Sequence, residues 1–146
     1  MQTIETELEI DAPADRVWAT FGDFERWPDW NPFAVSLKGR VAVGEKLEVR
    51  LEPPSGRAMT IKPKVMAFEP ESELRWLGHL LIPGIFDGEH QFCLETIEGN
   101  RTRFIHREEF GGLLVGLVLR SVREGTTAGF EAMNRALKER VEATTT

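Results

Sequence analysis

Apolar and polar residues alternate along most of the first 110 positions, and then the rhythm changes. Ile4, Thr6, Leu8 and Ile10 alternate with Thr3, Glu5, Glu7 and Glu9. That is the period-two pattern of a half-buried strand whose acids face water. Asp11 and Pro13 predict a helix start, with Asp11 as its cap, Val17, Trp18 and Phe21 as its apolar side and Gly22 as its stop. Asp23 to Trp27 leaves room for one more helical turn before Pro28. Strand patterns return over residues 34–38, around Leu47, Val49 and Leu51, and over 57–68, 73–82, 86–97 and 101–110. Pro63 marks an edge or a bulge in one of them. Turn residues separate the runs: Pro53-Pro54-Ser55-Gly56, Glu69-Pro70-Glu71-Ser72, Pro83-Gly84 and Glu98-Gly99-Asn100.

After Gly112 the period becomes helical. Val115, Leu119, Val122, Thr126, Phe130, Met133, Leu137 and Val141 recur at steps of three and four, predicting one helix over 113–143. At ~1.5 Å rise per residue it is roughly 45 Å long, so a large apolar surface has to run beside it. Its first residues, Leu113 to Leu119, are apolar all round. That run is too short for a membrane span, which needs about 20 residues. It suits either a buried helix start or the lip of a ligand cavity. Gly125 and Gly129, one turn apart, form a groove that admits a close neighbour or leaves space.

The order is strand, two short helices, about six strands, long helix. Short turns imply an antiparallel meander. The expected fold is therefore α+β: a curved antiparallel sheet of about six to seven strands wrapped round the long C-terminal helix. One domain over residues 1–146 is expected, with a cavity between sheet and helix unless large side chains fill it.

The carriers of a family resemblance are spread over nearly the whole chain. They are Ile10-Asp11-Ala12-Pro13 with Val17-Trp18, Trp30-Asn31-Pro32-Phe33, Leu74-Arg75-Trp76, and Pro83-Gly84 with Gly88-Glu89-His90. Phe104-Ile105-His106 with Glu108, Phe110-Gly111-Gly112, and Gly129-Phe130 with Met133-Asn134 complete them. In these the chain resembles the START-like helix-grip (SRPBCC) superfamily, and most of all its bacterial polyketide cyclase/dehydrase-like branch. The resemblance implies the helix-grip fold. It implies no single chemistry, because the superfamily hosts carriers, receptors and enzymes, and function has to be argued from the site.

Composition narrows the field. The net charge of −6 and the absence of a Lys/Arg run argue against nucleic acid as a partner. Cys93 is the only cysteine, which excludes an internal disulfide and a Cys-rich metal site and suits a reducing compartment. The first residues lack a basic-then-apolar leader pattern, so a cytoplasmic location is expected, with no transmembrane segment. No Ser/His/Asp order, glycine-rich phosphate loop or CxxC pair occurs, and no cofactor is expected. The tail Thr144-Thr145-Thr146 reads as disordered.

Strand parity supplies the candidate chemistry. His106 and Glu108 point the same way as Phe104 and Phe110, which suggests the concave face. His90 shares parity with Phe92 and Leu94, and a turn centred on Gly99 puts His90 opposite Glu108. Three readings of His90, His106 and Glu108 stay open. They form a satisfied polar cluster, or they orient a ligand and move protons, with His106 and Glu108 as the catalytic pair. In the third they hold a metal as a two-His-one-carboxylate set, although no metal is expected without further ligand support. Phe33, Trp76, Phe92, Phe104, Leu117 and Arg123 join His90 as the expected ligand lining. Arg123 falls within the apolar stripe, as an anion clamp, an ion-pair partner or a side chain snorkelling past the sheet edge. Trp27 and Trp30 wall a pocket mouth or simply fill the core. His79 belongs on the outer face. The first expected function is binding of a small, largely hydrophobic molecule. The second is a cyclase- or dehydratase-type enzyme. The third is an interaction protein, monomer or homodimer, with Leu77, Leu81 and Ile105 as an outer patch.

Overall fold

The computed structural model describes residues 2–54, 56–80 and 82–143. The elements follow the predicted order: β1 (Gln2–Ile10), α1 (Ala14–Phe21), a 3-10 turn (Phe24–Arg26), α2 (Trp27–Trp30), β2 (Ala34–Lys38), β3 (Glu48–Leu51) and β4 (Met59–Ile61). Then come β5 (Lys64–Glu69), β6 (Glu73–Leu80), β7 (Phe86–Ile97), β8 (Arg101–Gly111) and α3 (Val115–Ala143). All pairings are antiparallel, in two sheets of order β1-β8-β7-β6-β5 and β2-β3-β4. The sheets meet where Lys46 bridges Lys64, supported by Leu47 N donating to Pro63 O at 2.8 Å and Val65 N to Glu45 O at 2.9 Å. Pro63 accounts for the largest departure from the expected strands. It has no N–H to continue a ladder, so the run over 57–68 divides there into β4 and β5.

The first helix also starts differently from expectation. Pro13, not Asp11, occupies the cap position and makes no side-chain cap bond. Asp11 instead donates its backbone N–H to Glu142 Oε2 at 2.8 Å, tying the end of β1 to the end of α3. The long helix begins at Val115 rather than 113. Leu113 N and Leu114 N are already committed to Gly84 O and Ile85 O, both at 2.9 Å. Gly112, at φ +114°, makes that approach possible: a Cβ there would lie 2.6 Å from Ile85 O.

The helix packs chiefly on β1, less on β8 and least on β7. Its stripe residues Leu119, Phe130, Met133, Leu137 and Val141 are buried, together with Ile4, Ile10, Phe21, Trp27, Trp76, Phe92 and Phe104. Gly129 is what lets Phe33 into this core. A Cβ on Gly129 would lie 2.4 Å from the Phe33 ring, which in turn meets Phe130 edge-on at 5.6 Å. The helical groove is therefore filled by an aromatic ring. Asn31 fixes that ring's approach, its Oδ1 accepting the N–H groups of Phe33 and Ala34, both at 3.0 Å. Gly129→Ala should gain about 1 kcal/mol of helix propensity and lose roughly 1–3 kcal/mol to overpacking, a net destabilisation that urea melts will read.

The convex face is polar. Arg103 lies between Glu7 (3.9 Å) and Glu95 (3.4 Å), Arg107 between Glu5 (3.5 Å) and Glu109 (2.7 Å), and Arg75 between Glu73 (2.8 Å) and Glu89 (3.5 Å). Leu77 and Ile105 are half-buried among these pairs, and Leu81 lies outside the described residues. The three tail threonines expected to be disordered are also outside them. His79 is on this outer side, its Nδ1 2.7 Å from Asp87 Oδ1. No helix among the described residues is long and apolar enough to cross a membrane.

Candidate functional site

Register assembles the site from sheet rows. One concave row runs Leu74, Phe92, His106, Thr6 from β6 to β1. The next runs Trp76, His90, Glu108, Ile4, and the third runs Gly78, Gly88, Phe110, Gln2. The hairpin at Gly99 and Asn100 sets this register with two positive φ values, 76° and 59°, and His90 stands opposite Glu108 as expected.

His90 and His106 are 2% and 0% exposed, and their Nε2 atoms lie 2.6 Å apart. His106 Nδ1 is 2.8 Å from Asn134 Oδ1 on α3. Asn134 Nδ2 donates to Thr6 Oγ1 at 2.8 Å, and the Thr6 hydroxyl donates to His106 O at 2.9 Å. On the other side, His90 Nδ1 is 3.5 Å from Glu108 Oε1. A chain of polar groups thus crosses the core from β1 and α3 to Glu108. Two zinc-bound imidazole nitrogens, each ~2.0–2.1 Å from a tetrahedral ion, would stand roughly 3.3 Å apart. The observed contact is a hydrogen bond between the rings.

Burial dominates the electrostatics. Desolvation pushes the His106 imidazolium down to about 3, against a smaller upward pull from the Asn134 hydrogen bond. His90 is pushed well below the ordinary histidine value by the same burial and by His106. The Glu108 carboxyl is raised to about 8, again by desolvation. Its side chain nevertheless keeps 18% of its surface, so among these groups it is the one that solvent or a ligand reaches.

The aromatic residues expected as lining are brought together but closed on one another. Phe33, Trp76, Phe92 and Phe104 are at most 3% exposed. Phe130 stacks on His106 at 4.0 Å and 12°, and Phe92 lies 4.6 Å from both imidazoles. These rings form the wall behind Glu108, and His106 is sealed within it. Trp27 is core too, at 0% exposure. Two expected lining residues lie outside this aromatic wall. Leu117 is 70% exposed, because the start of α3 overhangs the sheet edge. Arg123 is exposed on the helix flank and reaches past that edge to Gln2 Oε1 (3.3 Å) and Thr3 O (3.4 Å). It snorkels past the sheet edge, one of the three placements its position in the stripe allowed.

On the third row there is space at Gly78, while at Gly88 the Glu108 carboxyl fills it. Gly78 and Gly88 face each other across β6 and β7, so two adjacent strands carry no side chain there. Among the described residues, a Cβ on Gly78 would meet only Pro63 Cβ, at 3.9 Å. A Cβ on Gly88 would lie 2.2 Å from Glu108 Oε2, so the carboxyl is folded over that glycine. Apolar residues on β3, β4, β7 and α3 remain partly open: Met59 is 46% and Val122 40% exposed, and Leu51, Ile61 and Phe86 are half-buried. Two outer hollows, about 610 Å³ beside Phe24 and Leu37 and about 500 Å³ along the outer flank of α3, do not touch Glu108. Sequence reasoning missed Asn134, Thr6, Gly78 and Gly88. Thr6 was visible as the one polar member of the inward set on β1, and Asn134 as the residue one turn beyond Phe130.

Residues 1–142 match the family model described as polyketide cyclase / dehydrase and lipid transport. No curated protein matches the chain. Among solved structures, the Zhui aromatase/cyclase from Streptomyces sp. R1128 superposes with a TM-score of 0.79 at 14% identity, over 99% of this chain and 96% of that one. A point mutant of Thalictrum flavum norcoclaurine synthase, in complex with a transition-state analogue, gives 0.75 at 20% identity, over 99% and 96%. TTHA0849 from Thermus thermophilus gives 0.73 at 20%, over 99% and 100%. At such identities these likenesses concern the helix-grip fold.

Proposed function

The chain belongs to the polyketide cyclase/dehydrase and lipid transport family, and from that premise we propose that it binds a small, largely hydrophobic molecule over Gly78 and Gly88, with the ligand's polar end at Glu108. The observation that carries this reading is the paired-glycine floor of β6 and β7, with the Glu108 carboxyl over Gly88 and space at Gly78. The Glu108 carboxyl takes the space at Gly88, but no described side chain fills the space at Gly78, which a core packed for stability alone would fill, because interiors reach crystal-like density. A bound apolar molecule would bury Met59 and Val122, gaining about 25 cal/mol per Å² of apolar surface removed from water.

An enzyme of the cyclase or dehydratase kind is the second reading. It is favoured by the reachable, proton-bearing Glu108 backed by His90. In that reading Glu108 is the group that meets the substrate, since His106 is sealed behind His90 and Phe130.

Gly78→Leu tests the site without disturbing the wall. Among the described residues only Pro63 comes within 4 Å of a Cβ at that position, and a strand accepts a side chain better than glycine. The expected result is a loss of at least tenfold in affinity for the apolar fluorophore 1-anilinonaphthalene-8-sulfonate, with the melting temperature nearly unchanged. Unaltered probe affinity in the folded variant would exclude the glycine floor as the site.

A further inference from the structure

Resting on that binding reading, we propose that Thr6 and Asn134 are positioning residues that orient every hydrogen bond from β1 to His90. The orientation makes Glu108 present a proton, so that the site takes its ligand through an acceptor oxygen, such as a ketone or aldehyde carbonyl, and not through a cation.

The orientation begins at a backbone carbonyl, which has no proton to give. The Thr6 hydroxyl donates to His106 O, so its oxygen is left as an acceptor for Asn134. The Asn134 amide therefore turns its NH₂ to Thr6 and its Oδ1 to His106. An amide oxygen only accepts, so His106 carries its proton on Nδ1. With both histidines deep in the core, each ring is neutral and bears one proton. His106 Nε2 is then a bare acceptor, and the 2.6 Å contact requires the proton between the rings to belong to His90 Nε2. His90 Nδ1 is left as a lone pair, 3.5 Å from Glu108. A carboxylate oxygen facing a lone pair is repelled, whereas a carboxylic acid is not. At 3.5 Å the acid is also not tied to His90 by a good hydrogen bond. Before a ligand binds, the Glu108 O–H faces His90 Nδ1 in a weak contact, and an acceptor oxygen of a ligand above Gly88 competes for that proton.

The rest of the surroundings supply no competing charge within that row. Its other members are Trp76 and Ile4, and the neighbouring row offers Gly78, Gly88, Phe110 and Gln2. A protonated carboxyl in an apolar recess donates a strong bond to a carbonyl and offers an ammonium no countercharge.

The test uses the full chain with ¹⁵N-labelled histidine. Long-range ¹H–¹⁵N spectra at about pH 6.5, the ordinary histidine pKa, should show His106 as the Nδ1–H tautomer and His90 as the Nε2–H tautomer. The reverse tautomers, or an imidazolium at either ring, would overturn the assignment. Thr6→Val keeps the shape of Thr6 but removes the hydroxyl, so Asn134 is free to flip, and mixed tautomers at both rings are expected. Unchanged tautomers with only a lowered melting temperature would reduce Thr6 to a packing role and overturn its positioning one. Calorimetry with 2-acetylnaphthalene and 2-naphthylmethylammonium then reads the ligand class, and at least tenfold tighter binding of the ketone is expected. Preference for the ammonium would refute a proton-presenting Glu108. Binding of neither, with the tautomers as assigned, would overturn the binding reading and the ligand class together while leaving the hydrogen-bond orientation intact.

Discussion

Phe130→Ala is expected to destabilise the protein by roughly 3–5 kcal/mol, the range for large-to-small aromatic changes in a packed core. Phe130 is 0% exposed and covers the His106 ring face to face at 4.0 Å. It also touches His90 and Phe33, with ring centres at 5.0 and 5.6 Å. Truncation leaves a void beside the two imidazoles, and water entering it would compete for their hydrogen bonds. Glu139→Ala, on the outward face of the same helix, should stay within about 0.5 kcal/mol. Equal urea midpoints for the two variants would mean that the sheet does not grip the helix through this stripe.

Glu108→Gln should make the protein more stable in mild alkali and change the shape of its pH profile. The carboxyl titrates at about 8 in the folded chain against an ordinary 4.5. Between those values the unfolded chain has released a proton that the folded chain still holds, so stability falls as pH rises through this window. At about 1.4 kcal/mol for each pH unit between the two values, the loss is on the order of a few kcal/mol. The histidines act in the opposite sense. Both titrate lower in the folded chain than their ordinary 6.5, His106 at about 3, so their contribution is complete above 6.5 and lost as pH falls. The wild type should therefore be most stable at about pH 6.5, between the two declines. The glutamine variant keeps a donor beside His90 and removes the alkaline decline, giving an advantage of a few kcal/mol at about pH 8.5 and a smaller one at about pH 6. Asp87 and Glu142, held low by their own partners, shift both curves alike and cancel in the difference. Denaturant melts across pH provide the comparison, and parallel curves for the two proteins would contradict a neutral Glu108.

Much of this arrangement was legible because sheets obey a strict period. Parity alone placed His90, His106 and Glu108 on one face, and the glycine turn at Gly99 placed His90 opposite Glu108. The order of elements and the apolar stripe pointed to the helix-grip fold. Depth was not legible. Parity says which way His106 points but not that Phe130 closes over it, because that depends on how far the helix stands from the sheet. The same limit hid the exposure of Leu117 and left Arg123 open among three placements, of which the structure shows the snorkelling one. Pockets leave an even weaker trace. Gly78 and Gly88 are separated in sequence and become one floor only through the β6–β7 register. Asn134 reads as one polar residue in an apolar stripe until Thr6 is seen across from it.

A small apolar ligand on that floor, with its polar end at Glu108, is tested most directly by chemical-shift mapping. The ¹³C- and ¹⁵N-labelled protein is titrated with 2-acetylnaphthalene. The expected shifts centre on the Gly78 and Gly88 amides, the Glu108 carboxyl carbon and the side chains of Met59 and Val122. Shifts confined to the exposed Leu113 and Leu117 region, or to the hollow beside Phe24 and Leu37, would contradict it.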